Sequence, residues 1–388
     1  MNRPGRTLFL IVLAQFCCIS LWFAGNGVLD DLSKNFDLNV QALGHLTSAV
    51  QFGFISGTLL FALFTVADRY SPSRVFFFSA FIGGIFNLSL LWDGNTLWSL
   101  LIARYLTGFF LAGIYPVGMK IAADYFEEGL GKSLSFLVGA LVLGTALPHL
   151  LKSSGFFANW MWVIAATSSL AFAGGLLVLI FVPDGPFRKK GNPLKLMAIF
   201  SVFRNRELKT AAVGYFGHMW ELYAFWAFVP VILKTYQDLY GKELNISLWS
   251  FLIIGIGSIG CVIGGFLSQR IGIKKTAFWS LLLSCLCCLF SPLFFYISYE
   301  AIFLGILLFW GMMVIADSPL FSTMVANNAD SALKGSALTI VNCIGFAITI
   351  LSIQLLNYLQ LNFSPTLMYT ILAIGPVLGL WTLLKNSN

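Results

Sequence analysis

Five ionisable residues stand in stretches of sequence that otherwise hold almost no charge: Arg104, Lys120, His218, Glu221 and Asp317. A charge among lipid tails is costly, so such a residue marks a function or a built-in partner. His218 and Glu221 lie three apart in "GYFGHMWELYAFW" and share one face of a helix. A carboxyl in low dielectric favours its neutral form and a neighbouring imidazole tunes it, which suits a proton carrier. The alternative is a buried carboxyl whose hydrogen bonds fix helix packing. Asp317 precedes Ser318-Pro319; it serves either as a second titratable site or as a cap for backbone groups that the proline frees. Arg104 either binds carbonyls or, as a resemblance given below implies, takes part in coupling. Lys120, close to a helix end, either snorkels or meets an anionic solute. Glu221, His218, Asp317 and Arg104 are therefore the candidates for proton coupling. Candidates to line a solute cavity are Gln15, Gln51, Tyr215, Trp220, Tyr223, Trp226 and Asn342.

The elements that position these residues follow from composition. Of 388 residues, 58% are hydrophobic and only 10% charged, where a soluble domain carries about 25% charged residues. Twelve apolar segments are long enough to cross a bilayer as helices. They cover 7–29, 42–66, 74–92, 97–121, 132–151, 159–182, 209–233, 246–268, 275–297, 301–326, 334–358 and 365–384. The first is expected to be retained rather than cleaved as a leader. Glu221 then falls near mid-membrane on the seventh span. The net charge of +7 reflects topology and not nucleic-acid binding. With the N-terminus in the cytoplasm, most of the 23 Lys and Arg lie inside, including Arg69, Arg74, Arg188, Lys189, Lys190, Arg204, Arg206, Arg270, Lys274 and Lys275. Only Lys34, Lys152, Lys234 and Lys242 lie outside. An even number of spans returns the C-terminus to the cytoplasm. The expectation is a multi-pass protein of a bacterial cytoplasmic (inner) membrane, functional as a monomer.

The longest polar stretch, with "PDGPFRKKGNPLK", sits at the midpoint. It divides the chain into a six-helix bundle at 1–182, a cytoplasmic linker at 183–208 and a second bundle at 209–388. The halves resemble each other. Asp68-Arg69-Tyr70-Ser71 aligns with Gln269-Arg270-Ile271-Gly272 at an offset of 201 residues, and Pro116 with Pro319, and Ser133 with Ser336, at 203. Such repeats are a common build for transporters.

Enzyme signatures are missing: there is no HExxH, no GxSxG and no Gly-rich phosphate loop. Seven scattered cysteines and three histidines give no metal-ligand spacing, so neither a metal nor a cofactor is expected. A sensor role lacks a soluble domain beyond the short linker.

The basic loop after the second span resembles the Gly-x-x-x-Asp-Arg-x-Gly-Arg-Lys signature of the major facilitator superfamily. The second half keeps it as Gly265, Arg270, Gly272 and Lys274, with Gln269 in place of Asp. The first keeps Asp68 and Arg69 but has Phe64, Ser71 and Pro72 at the Gly, Gly and Arg positions. "RYLTG", Arg104 to Gly108, resembles the family's Arg-x-x-x-Gly motif in span four, and "YPVGMKIAA" and "VGALVLGTALPHLL" resemble a bacterial branch. The resemblance implies an all-α fold of two pseudo-symmetric six-helix bundles that alternates between inward-open and outward-open states. It also implies a cytoplasmic gate at Asp68, Arg69, Arg74, Gln269 and Arg270, and a role for Asp68 in holding the bundles together. Asp68 is expected to pair with Arg69 or Arg74, or with a helix end. The Gly53/Gly57 and Gly260/Gly264 pairs let helices approach closely, and they suit ordinary helix packing, a seam between bundles, or both. The function implied is secondary active transport of a small organic solute, proton-coupled, in a lipid bilayer. The runner-up is proton-driven efflux of amphipathic or aromatic compounds, although span five lacks the Gly-Pro step common in drug exporters.

Overall fold

The computed structural model describes residues 4–126, 130–155, 159–188, 194–195, 197, 200, 203–330 and 333–385. Lys189, Lys190 and several other residues of the expected linker lie outside them. Among the described residues all regular structure is helical. A 16-residue helix α1 (Pro4–Ile19) opens the chain. Eleven helices long and apolar enough to span a membrane follow: α2 (Ala42–Leu63), α3 (Pro72–Leu91), α4 (Leu97–Tyr125), α5 (Ser133–Ser153), α6 (Trp160–Phe181), α7 (Arg206–Tyr240), α8 (Ile246–Ile271), α9 (Ile273–Phe294), α10 (Glu300–Asn328), α11 (Lys334–Asn362) and α12 (Met368–Lys385). The chain divides into two compact units, 1–194 and 195–388.

The first expected span is corrected. It does not run unbroken through 7–29. The helix stops at Ile19, and the chain resumes in short helices Ala24–Gly27 and Leu29–Asn35. The Gly25-Asn26-Gly27 run lowers helix propensity there. At the turn of 20–23 the Leu21 and Trp22 carbonyls are also met by a side chain described below.

Two other interruptions repeat between the units. α4 breaks between Leu111 and Tyr115, and α10 breaks between Ala316 and Ser318. Each new segment carries proline in its first turn, Pro116 and Pro319. Proline has no N–H to give, so it is tolerated where a helix starts.

The seam glycines pack against neighbours within their own unit. A Cβ on Gly57 would strike the Phe109 carbonyl, and one on Gly108 would strike the Val50 carbonyl. In the second unit Gly260 meets Met312 and Gly311 meets Ile253 in the same manner. These contacts join α2 to α4 and α8 to α10, so the glycines close seams inside each unit. Every partner in one seam corresponds to its counterpart at an offset of 203 residues. The duplication therefore extends from sequence to backbone contact.

Candidate functional site

The 35-residue α7 is long enough to pass through a bilayer and beyond at both ends. Asn205 starts it, its side chain accepting from the Leu208 N–H, as an N-cap should. Gly241 ends it in the left-handed conformation at φ 61°. Glu221 sits near its middle, about 22 Å along from Arg206 at ~1.5 Å per residue. It is 1% exposed.

Glu221 is held by neutral donors from two other helices. Trp310 on α10 donates its indole N–H to Oε1 at 2.6 Å. Ser284 on α9 donates its hydroxyl to Oε2 at 2.9 Å, and the Cys288 thiol is also in reach. Trp310 is itself placed by stacking on Phe225, with ring centroids 4.3 Å apart. Neither donor was singled out from sequence. An indole buried in an apolar run needs an acceptor, and that requirement was the available signal for Trp310.

His218 does not bond to Glu221, which corrects the pairing expected from their spacing. Its Nδ1 lies 2.8 Å from Asp317 Oδ1, with both side chains 1% exposed. Asp317 sits at the break of α10 but makes no side-chain cap there; it turns to the imidazole instead. The contact uses one atom of each group. His218 Nε2 and Asp317 Oδ2 are buried with no hydrogen-bond partner among the described residues. Two open polar positions thus sit beside a carboxyl that has only neutral partners. Asp317 is also near enough to Glu221 to interact with it electrostatically.

The remaining candidates separate into groups. Tyr215 donates to Asn342 Oδ1 at 2.5 Å, one turn from His218. Trp220 donates to the Ile371 carbonyl on α12 at 3.1 Å. Tyr223 and Trp226 lie against each other, and Tyr223 also against Phe346; both are almost wholly buried. They present no open ring face to a solute. In the first unit Gln15 donates to the Leu137 carbonyl at 2.8 Å. Gln51 is fully buried, with neither side-chain polar atom partnered among the described residues.

Arg104 is engaged elsewhere, although its buried Nε has no hydrogen-bond partner among the described residues. Its guanidinium donates to the Leu21 carbonyl at 3.1 Å, to Asn87 Oδ1 at 3.2 Å and to the Trp22 carbonyl. Leu21 and Trp22 belong to the turn that interrupts the first span. Gly25 leaves room for the side chain, since a Cβ there would lie 3.3 Å from Nε. These contacts are of the kind foreseen for a carbonyl-binding arginine, one of the two roles expected of this residue.

At the first basic loop, Asp68 pairs with Lys120 at 2.8 Å and not with Arg69 or Arg74. Lys120 also approaches Asp124 at 3.8 Å, so its ammonium is committed and does not snorkel away. Arg188 straps the loop, donating to the Asp68 and Tyr70 carbonyls at 3.1 and 2.8 Å and to Asp184 at 2.5 Å. Arg69, Arg74 and Arg270 make no ion pair among the described residues. The two loops also differ in backbone. Gly272 takes φ 93° where the family glycine stands, whereas the first loop turns at Thr65, with φ 49°.

This architecture agrees with comparison against known proteins. The family model of the Major Facilitator Superfamily matches residues 11–353. The chain belongs to the major facilitator superfamily. It is accordingly a multi-pass integral membrane protein of a transporter family. It is 25% identical over 274 residues to the proposed transporter AraJ of Escherichia coli, a match covering 69% of this chain and 65% of AraJ. It is 26% identical over 254 residues to the uncharacterized transporter YgaY of Escherichia coli, covering 59% of this chain and 61% of YgaY. The matches thus span somewhat less than two thirds of these relatives. Among solved structures, the inward-open xylose transporter XylE from Escherichia coli superposes with TM-score 0.78 at 16% identity, over 100% of this chain and 97% of that one. A mutant of the nucleoside transporter NupG superposes with TM-score 0.74 at 16% identity, over 100% of both chains. A bacterial homologue of the lysosomal transporter Spinster, inward-facing and unoccupied, gives 0.69 at 14% identity over 98% and 93%. At these identities the likeness shows the shared fold.

Proposed function

We propose that the chain is a secondary active transporter of a small organic solute, driven by protons through alternating access. Glu221 is the proton-binding carboxylate, and the His218–Asp317 pair is a second titratable element beside it. The observation that carries this reading is three ionisable side chains, each 1% exposed, gathered within one six-helix unit. Packing alone does not require them, because apolar residues would fill the same volume at lower cost. The unpartnered His218 Nε2 and Asp317 Oδ2 give a proton, a water or a polar solute group a place to bind. Protonation removes the charge on Glu221 and lowers the cost of enclosing it. Gln51 is the favoured hydrogen-bonding contact for solute in the first unit, and Tyr215 with Asn342 in the second. The positive-inside pattern supports a bacterial cytoplasmic membrane with both termini in the cytoplasm. The chain works as a monomer, catalysing no covalent reaction.

The test is reconstitution in proteoliposomes with an internal pH dye. Pentoses, nucleosides, amino acids and planar aromatic cations are added in turn under an imposed pH gradient. A transported solute should move protons with it in the wild type. Glu221→Gln should retain solute counterflow and lose both proton movement and the pH dependence. An unchanged pH dependence in that variant would show that the proton binds elsewhere.

A further inference from the structure

We infer a binding site for an anionic phospholipid on the outer face of the first unit, at the end of α2 and α3 that carries the basic loop. A groove of about 560 Å³ opens there. Arg69 and Arg74 stand at its mouth, and Phe61, Phe78, Ile82 and Phe110 line its length. Arg74, Phe78 and Ile82 follow one another at four-residue steps, so the groove runs along a single face of α3. That face extends about 12 Å from the arginine, at ~1.5 Å per residue. The shape is that of a charged head with an apolar trough beneath it.

Charge decides the occupant. The acids nearest the mouth already have partners. Asp68 is held by Lys120 at 2.8 Å, and Asp184 by Arg188 at 2.5 Å and by the Ser71 hydroxyl at 2.6 Å. Arg69 and Arg74 are exposed and make no ion pair among the described residues. Two uncompensated guanidinium groups can bind a phosphodiester through paired N–H donors. A zwitterionic lipid would bring its own cation to the same place and gain less. The apolar trough gives an acyl chain contacts that a free phosphate cannot use. Basic pockets between helices on the cytoplasmic side are suited to anionic headgroups in this way.

The experiment compares dioleoylphosphatidylglycerol with dioleoylphosphatidylcholine on the full-length protein, by native mass spectrometry and by thermal shift in a neutral detergent. Two arginines near an anionic surface correspond to about a thirtyfold preference for the glycerol lipid. Arg69→Gln with Arg74→Gln should erase that preference. Arg270→Gln with Lys275→Gln, in the corresponding loop of the second unit, should leave it intact. Ile82→Trp should reduce retention of the lipid by filling the trough, without changing the melting temperature in detergent alone. Equal retention of the two lipids by the wild type overturns the proposal and needs no variant. Equal loss in both double variants also overturns it, because diffuse surface charge then suffices. Protection by inorganic phosphate as strong as that by phosphatidylglycerol would reduce the site to a phosphate contact with no lipid.

Discussion

The two six-helix units share a scaffold and differ in the charges they bury. Gly108 against Val50 and Gly311 against Ile253 are the same contact at an offset of 203 residues. Yet the residue corresponding to Arg104 is Leu307, and the one corresponding to Asp317 is Ile114. The reason for the first difference is visible in the backbone. The first span breaks at 20–23 and exposes the Leu21 and Trp22 carbonyls, which Arg104 binds. At the corresponding 224–225, α7 is continuous and its own turns supply donors to those carbonyls. A cation has nothing to do there, and leucine takes its place. Asp317, His218 and Glu221 answer no such backbone need. Charge in the first unit meets the carbonyls of a broken helix; the buried charges of the second unit meet side chains instead.

That contrast is open to direct attack. Arg104→Met should destabilise the protein most, by about 3 kcal/mol, because it strips buried carbonyls of a charged donor. Glu221→Gln, which keeps shape and leaves Trp310 and Ser284 with an acceptor, should cost less than ~1 kcal/mol in the same thermal-unfolding assay. Comparable losses would collapse the distinction between a charge that meets carbonyls and one that meets side chains. Gly108→Ala and Gly311→Ala each drive a methyl group into a carbonyl, for about 2 kcal/mol apiece. Similar shifts in the two variants would establish that the scaffold is energetically as well as geometrically duplicated. Trp310→Phe keeps the stack on Phe225 and removes one hydrogen bond to Glu221, worth ~1 kcal/mol. A double-mutant cycle with Glu221→Met, which removes the acceptor, isolates that bond, and zero coupling would remove Trp310 from the site. The smallest effect is expected at the partly exposed Asp68–Lys120 pair, where Asp68→Asn should cost under ~1 kcal/mol.

Sequence carried the fold further than the site. Apolar length marked the spans, and prolines 116 and 319 marked matching breaks in α4 and α10. The interruption of the first span was missed although Gly25 and Gly27 signalled it, because hydropathy averages over a turn that stays apolar. At the site, the spacing of His218 and Glu221 placed both on one helix. It could not supply the rotation of neighbouring helices, so the partners of each remained hidden. Asp317 lies 99 residues from His218 and Trp310 lies 89 from Glu221. Which of two nearby groups an imidazole chooses is set by helix packing and not by distance along the chain. Asp68 illustrates the same limit, since its partner Lys120 comes from another span.

The glycine seams have a consequence for how the protein is made. They join α2 to α4 and α8 to α10, never leaving a seam residue to wait for the other unit. Residues 1–194 therefore have their close-packed neighbours as soon as the sixth span leaves the ribosome. At about 5–20 residues per second, that allows the first unit on the order of ten seconds or more alone in the bilayer before the second is complete. Assembly can proceed in two instalments, and a defect in one seam should be felt by the membrane insertion machinery before the rest of the chain exists.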